Sequence, residues 1–509
     1  MKNLIPYRKI IAALLATLLA LTCVACSEQP IEVETQTQPS TQTESVNTEE
    51  SETILDAGYI HNLGSADFKG ETFSFLVQDS PCFIHFYDVN VENINSEVVN
   101  DKVYERNLYV EATYHVVIED EKGGESTPAV FDRLMASGDS TYNAVWLRTD
   151  EFFARSITGN FVNLLDVENL DTTKLYWDQN GIRDYAVEGK LYGIMGDIST
   201  TANMFTHLLG VNNLVATEYG MTLAEMYQLV FDGDWTFDKF YEYCLKVGHV
   251  DTNGNGRDAE DLFAFGTSPS LIFGGWSAAG EKWIVKNEDD AYELAPLTER
   301  KNNVLEKWIE LANNQSVTVA TWNIGSVPGG VDSYGYTYRT KFVNNTLLFS
   351  DLDMGEVLDE RGVMKDAFGI LPLPKYDKSQ EEYSVFAYPF YPLLSIPTTI
   401  QGDRQSMTGF ILEALAAESY KTLTPAFYDI AMGGKVLRDE ESTRILDIIL
   451  RGRSYELLLI YRWSDDTFRN ALTNMMTDNS NAISSTYKSN SRGLMRAIEK
   501  VQEQLDSQP

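Results

Sequence analysis

The sequence predicts a two-domain α/β protein behind an export leader, and three observations carry that prediction. Between residues 71 and 147 the pattern runs strand, helix, strand, helix, strand, the grammar of a parallel sheet wrapped by helices. The chain has 509 residues, enough beyond a leader for two domains of about 200 residues each. An apolar run at the start, followed by a long polar stretch, separates the leader from the folded body.

The leader comes first. Lys2, Arg8 and Lys9 form a basic region ahead of an apolar run from Ile10 to Leu21. That run is too short for a comfortable membrane span and suits a signal peptide. Thr22-Cys23-Val24-Ala25-Cys26 follows and resembles a bacterial lipoprotein signal, with cleavage before Cys26 and a lipid on its sulfur. The position three before the cysteine is Cys23 where leucine is usual; a plain secretory signal or an uncleaved anchor is the alternative. From Ser27 to Asp56 there are eight acids and no Lys or Arg. Such a segment cannot bury enough apolar surface to offset its ordering entropy, so residues 26–60 read as a disordered acidic tether.

The formal net charge is −35, and the basic leader makes the remainder more acidic still. That argues against nucleic acid and against adsorption on anionic lipid. Beyond Cys26 only Cys82 and Cys244 remain, read as separate buried thiols rather than a disulfide. None of the five histidines has a partner at metal-ligand spacing.

The body opens with a strand over residues 71–77. A helix begins at Ser96, with Glu97 favouring its positive end, and runs to about Ala112. Residues 114–118 form the next strand and 131–136 a short helix stopped by Ser137-Gly138-Asp139. Residues 142–147 form the third strand. Thr236 is an N-cap candidate for a helix that buries Phe237, Phe240 and Cys244, with Trp235 as a packing residue. Residues 268–276 read as a loop. So does 322–338, where Gly325, Gly329, Gly330 and Gly335 interleave with Trp322, Tyr334, Tyr336 and Tyr338. Helices are expected over 304–312, 406–419 and 441–450.

Several segments in order carry a resemblance. They are Asn107–Tyr114, Ser137–Trp146 with Arg148-Thr149-Asp150, Gly159–Asp166, Asp234–Phe240, and above all Phe368-Gly369-Ile370-Leu371-Pro372-Leu373-Pro374-Lys375-Tyr376-Asp377. Together they resemble the extracellular solute-binding proteins of ABC importers, of the sugar-binding, maltodextrin-receptor-like class. The resemblance implies the two-lobe periplasmic-binding-protein (Venus-flytrap) fold, each lobe a sheet flanked by helices, joined by a hinge of crossing segments. It implies 1–25 as signal peptide, 61–195 with 335–385 as the first lobe, and 196–334 with 386–509 as the second. Residues 368–377 would then be a rigid crossing near the hinge, and Tyr388–Pro397 would return to the second lobe. The function implied is capture of a carbohydrate, an oligosaccharide before a monosaccharide, and its delivery to ABC permease subunits. The receptor would be a monomer without catalysis, lipid-anchored at the extracytoplasmic face of a bacterial membrane.

The candidate ligand residues are Trp146, Arg148 and Asp150 from the first lobe and Trp276 from the second, with Asp197, Trp322, Tyr336 and Trp463 beside them. Trp146 and Asp150 fall at a strand's carboxyl end, where open α/β sheets bind ligands. An aromatic face would stack on a sugar's C–H face, while Asp150 accepts and Arg148 donates hydrogen bonds. Each tryptophan reads equally as core, and Arg148 with Asp150 as a surface pair. No cofactor is required. A structural calcium is the one metal suggested, because Asp251, Asn253 and Asn255 with Gly256 follow the first half of a calcium loop. The candidate metal residues are Asp251, Asn253, Asn255, Arg257 and Asp261; Leu262 stands where the loop's closing Glu belongs, and an Asn-Gly turn is the alternative. Two other functions stay open: a tethered glycoside-processing enzyme using carboxylates such as Asp351 with Asp353 or Asp465 with Asp466, and a receptor for a non-sugar solute.

Overall fold

The structure, a computed structural model, describes residues 57–79, 89–258, 260–323, 336–433, 439–461 and 466–508. Two sheets organise it. The first has the order β13-β3-β1-β2, built from β1 (Glu71–Val77), β2 (Val116–Lys122), β3 (Ala144–Arg148) and β13 (Pro392–Ser395). β1 lies parallel to β2 and β3, whereas β13 runs antiparallel to β3. The second contains β4 (His207–Asn212), β5 (His249–Val250), β6 (Leu262–Thr267), β9 (Thr318–Ala320), β10 (Leu347–Asp353) and β11 (Phe368–Leu371), in the order β11-β4-β10-β6-β5 with β9 on β6. Two-stranded pairs complete the set: β7 (Ile284–Lys286) with β8 (Tyr292–Leu294), and β12 (Val385–Phe386) with β14 (Arg453–Ser454).

Local signals explain the first sheet. The helix is Val98–Tyr114, and the Glu97 carboxylate caps it by accepting from the Asn100 amide at 2.7 Å. It ends where His115 turns left-handed at φ 50°. Gly138 ends the Thr127–Ser137 helix at φ 69°, a conformation that favours glycine. In the second sheet every residue of β4 and β11 is buried, the pattern of strands covered on both faces. Trp235 and Cys244 are fully buried, and burial pushes the Cys244 thiol up. Thr236 is the N-cap of Phe237–Val247 by backbone, without a side-chain bond to the helix.

Among the described residues, three passages between the sheets bear on the site. Ile194 bridges Leu394 at the edge of the first sheet, and His207 opens β4 of the second. The return runs from β11 through β12 to β13. The third passage is the Asp403–Ala431 helix. Its start meets the first sheet, where Asn143 Nδ2 donates to Thr408 Oγ1 at 3.0 Å. Its end meets the Met354–Val363 helix, where Arg361 donates to the Ile430 carbonyl. Pro425 interrupts its hydrogen-bond ladder near that end.

These pairings correct the sequence reading of residues 335–397. β10 and β11 belong to the second sheet, not the first, and β13 belongs to the first, not the second. The Phe368–Asp377 segment is therefore no hinge crossing: it stays with the second sheet, where Lys375 accepts from Phe237 N at 2.7 Å and donates to Trp235 O at 3.1 Å. Residues 271–278 are helix rather than loop. Residues 190–197 form only isolated bridges. The Tyr336–Val343 helix takes the end of the expected 322–338 loop, and residues 324–335 lie outside the described residues.

Glu413, on the third crossing helix, is buried where it accepts from the Tyr176 hydroxyl, from Trp177 Nε1 at 3.0 Å and from the Asp171 amide at 3.2 Å. Burial pushes its carboxyl from the ordinary 4.5 up to about 7. Between those values the unfolded chain has released a proton that the folded chain retains. The contribution to stability is therefore full below about pH 4.5 and falls as pH rises to about 7. Glu413→Gln should remove a decline on the order of 2–3 kcal/mol between pH 4.5 and 7.5. Urea unfolding at the two pH values measures it, and identical pH slopes in variant and parent would contradict it.

Candidate functional site

The carboxyl ends of the first sheet supply charge. β3 ends at Arg148, whose guanidinium clasps Asp150 through Nε at 2.6 Å and Nη2 at 3.1 Å. Glu125 lies 3.4 Å and Glu151 3.8 Å from the same guanidinium. Asp150 and Glu151 sit in the first turn of the Thr149–Ser156 helix, where the helix dipole favours carboxylates. Buried Gln78, one residue past β1, accepts from the Arg148 amide at 2.9 Å. The helix start is tied to the second passage, because the Thr149 amide and hydroxyl both donate to the Tyr391 carbonyl, the amide at 3.0 Å.

The second sheet contributes a buried set. Asp351 on β10 accepts from His207 and from Thr267 Oγ1, the latter at 2.7 Å. His207 has room for its ring because residue 274 is glycine: a Cβ there would stand 2.2 Å from the imidazole. The Tyr388 ring lies 5.5 Å from that of His207, and its hydroxyl bonds to Ser270. Burial pushes the Tyr388 phenol well up, so it stays a neutral donor.

Tyr388-Pro389-Phe390-Tyr391 joins the two sets. Tyr388 donates its amide to Phe205 O at 2.9 Å, and Tyr391 holds Thr149. Phe390 between them is 42% exposed, one of several large apolar side chains at the surface among the described residues. An exposed aromatic face, a guanidinium and carboxylates within one junction are the parts with which a site grips a ring that is apolar on its faces and hydroxylated at its rim.

Of the expected ligand residues, the structure brings Arg148 and Asp150 together. Trp146 is buried in β3, between Val77 and Leu394 on the neighbouring strands. Trp276 is fully buried in the Leu271–Ala278 helix, edge-on to Trp283 at 5.7 Å. Both are packing residues here, not faces presented at a loop tip. Trp322 is half-buried and donates to Asn313 Oδ1 at 3.2 Å. Asp197 stands apart, lining a separate cavity. The Tyr336 side chain, Trp463, Cys26 and Cys82 lie outside the described residues. The sequence reading missed Phe390, Tyr388 and the His207–Asp351 pair. The run Tyr-Pro-Phe-Tyr at 388–391 is the available signal for the first two.

In the 251–261 loop, Asp251 accepts from the amides of Gly254 at 2.6 Å and Gly256 at 2.9 Å. Asn253 accepts from the Asn255 amide at 3.1 Å. Asn255 donates to Asp258 at 2.8 Å. Arg257 turns away, donating to the carbonyls of Asn323 and Thr318. Burial raises the Asp261 carboxyl, but hydrogen bonds from His249 and the amides of Asp258 and Thr252 outweigh it and hold the group low. Among the described residues no three His, Cys, Asp or Glu side chains are grouped to hold a metal ion. No helix among them is long and apolar enough to cross a membrane.

No protein-family model and no curated protein matches the chain. Solved structures do. An extracellular solute-binding protein of family 1 from Alicyclobacillus acidocaldarius matches with a TM-score of 0.53 at 11% identity, covering 86% of this chain and 100% of its own. A sugar transporter from Rhizobium etli in an open conformation gives 0.53 at 13% identity, over 86% and 100%. A cyclo/maltodextrin-binding protein complexed with maltotetraose gives 0.52 at 10%, over 86% and 98%. At these identities the likeness is one of architecture. The chain has the two-lobe α/β fold of the solute-binding proteins.

Proposed function

We propose that this protein is a lipid-anchored receptor at the extracytoplasmic face of a bacterial membrane that captures a carbohydrate, an oligosaccharide before a monosaccharide, and delivers it to an ABC permease. The observation that carries the reading is the junction at 388–391, where exposed Phe390 lies between Tyr388, bonded to Phe205, and Tyr391, whose carbonyl holds Thr149, the residue between Arg148 and Asp150. Cys26 is the anchoring residue and the acidic stretch after it the tether. Support for capture over hydrolysis comes from the carboxylates. Asp351 is engaged by His207 and Thr267, and Asp353 caps the Met354–Val363 helix by accepting from the Glu356 amide at 2.8 Å. A glycosidase needs two carboxyl groups free to face one another across the scissile bond.

Thermal-shift screening of the mature chain against maltotetraose, other sugars, amino acids and peptides tests the reading. A ligand at 100 times its Kd should add about 2.7 kcal/mol of stability. Phe390→Ala should weaken sugar binding at least tenfold while changing stability little, because the ring is exposed. A shift with an amino acid or peptide and none with any sugar would make this a receptor for another solute. Undiminished sugar binding by Phe390→Ala would remove the junction as the site.

A further inference from the structure

A cavity opens at the chain crossings whose lining includes no residue of the 388–391 junction or of the Arg148 cluster. Its volume is about 300 Å³, at the small end of ligand pockets. Asp197 enters it from the first crossing. Tyr420, Thr424 and Tyr428 come from the third, and Arg453 from β14, the strand paired with β12 of the second. Three tyrosines wall it off from the Phe390 junction: Tyr391 meets the Tyr185 hydroxyl and the Tyr455 ring, and Tyr455 donates to Asp178 at 2.6 Å.

The lining has three carboxylates and two guanidiniums. Arg453 pairs with Asp178 at 2.7 Å, and Arg451 with Asp447 at 2.7 Å. The third carboxylate, Asp197, has the Thr424 hydroxyl as its hydrogen-bond donor, and among the described residues no Lys or Arg forms an ion pair with it. One carboxyl group is thus left without a cationic partner in a cavity that also presents the Tyr59 and Tyr420 rings, stacked at 3.9 Å, with Trp177 and Tyr428. Aromatic rings beside a surplus carboxylate are the elements that hold an organic ammonium, through ring faces and one charge-assisted bond.

We infer that this cavity is a binding site for a small organic monocation, a primary ammonium on an apolar or aromatic body, with Asp197 as the counter-ion. The site is distinct from the Phe390 junction, so it stands or falls apart from the carbohydrate reading. Burial pushes the Asp197 carboxyl up to about 7; Asp178, Asp447, Tyr59, Tyr420 and Tyr428 line the cavity with it as acids, and Arg453 and Arg451 as cations. A bound ammonium favours the ionised carboxylate, so binding should release a proton near pH 6.5 and tighten as pH rises from 6 to 8.

Calorimetry on the mature chain with 2-phenylethylammonium, 2-phenylethanol and 3-phenylpropionate tests this. The ammonium should bind, and the alcohol and carboxylate at least tenfold more weakly. Asp197→Asn should cost at least tenfold and abolish the proton release, and Tyr420→Leu should weaken binding while keeping the pH dependence. If Asp197→Asn does not fold, the proton release and the Tyr420→Leu result on folded protein decide. No binding of the ammonium, equal binding of all three probes, or an unchanged affinity in a folded Asp197→Asn would overturn the inference.

Discussion

Replacing Trp146 by alanine will destabilise the protein by about 3–5 kcal/mol, the cost of deleting a large buried aromatic from a close-packed interior. Trp146 is 2% exposed on β3, an inner strand of the first sheet, with Val77 of β1 on one side and Leu394 of β13 on the other. The deletion removes buried apolar area and leaves a void that flanking strands, fixed by their hydrogen bonds, cannot close. Urea unfolding should show a lower midpoint at an unchanged slope. Folded variant should keep its solute affinity, because the indole is shut away from the junction. A loss of less than about 1 kcal/mol, combined with lost binding, would return Trp146 to the ligand site.

Arg106→Met is expected to cost a similar amount for a different reason. Arg106 is 1% exposed and lies between the Val98–Tyr114 and Asp403–Ala431 helices. Its guanidinium donates to the carbonyls of Val89 at 2.6 Å and Ile198 at 2.8 Å, to Ser419 Oγ at 3.0 Å, and to Asn107 Oδ1 at 2.8 and 2.9 Å. Methionine keeps much of the volume and removes every donor. The Ile198 carbonyl and Asn107 Oδ1 would then lose these donors inside the protein, at about 1–3 kcal/mol each, while Val89 O keeps Asn107 Nδ2 at 3.1 Å, for a total of about 3–5 kcal/mol. Because Ile198 lies on the first crossing, the loss should also loosen that segment, seen as faster amide exchange around residues 198–206. A variant within about 1 kcal/mol of the parent with unchanged exchange would show that water replaces the guanidinium.

Part of the candidate site is legible in the sequence alone. Arg148 and Asp150 sit two residues apart where a strand turns into a helix, so strand-end logic is enough to bring them together. Trp146 and Trp276 read as ligand faces because aromatic residues suit sugars, but composition does not tell a stacking ring from a core ring. His207 and Asp351 are 144 residues apart, and no local pattern connects them.

Local order is written in the chain itself: strand–helix alternation through the first sheet, stops such as Gly138, the buried Trp235 and Cys244, and the short apolar strands of the second half. These follow from short-range rules of periodicity, capping and burial. Which sheet each late strand joins depends instead on long-range pairing. Phe368–Leu371 and Pro392–Ser395 are both four-residue, wholly buried runs, yet one pairs with β4 and the other with β3. A strand's hydrogen bonds are made to a partner distant in sequence, so its own residues specify that it pairs but not with which neighbour. The same passage between sheets, 388–391, places Phe390 at the surface, and that exposure exists only once both ends of the segment are held.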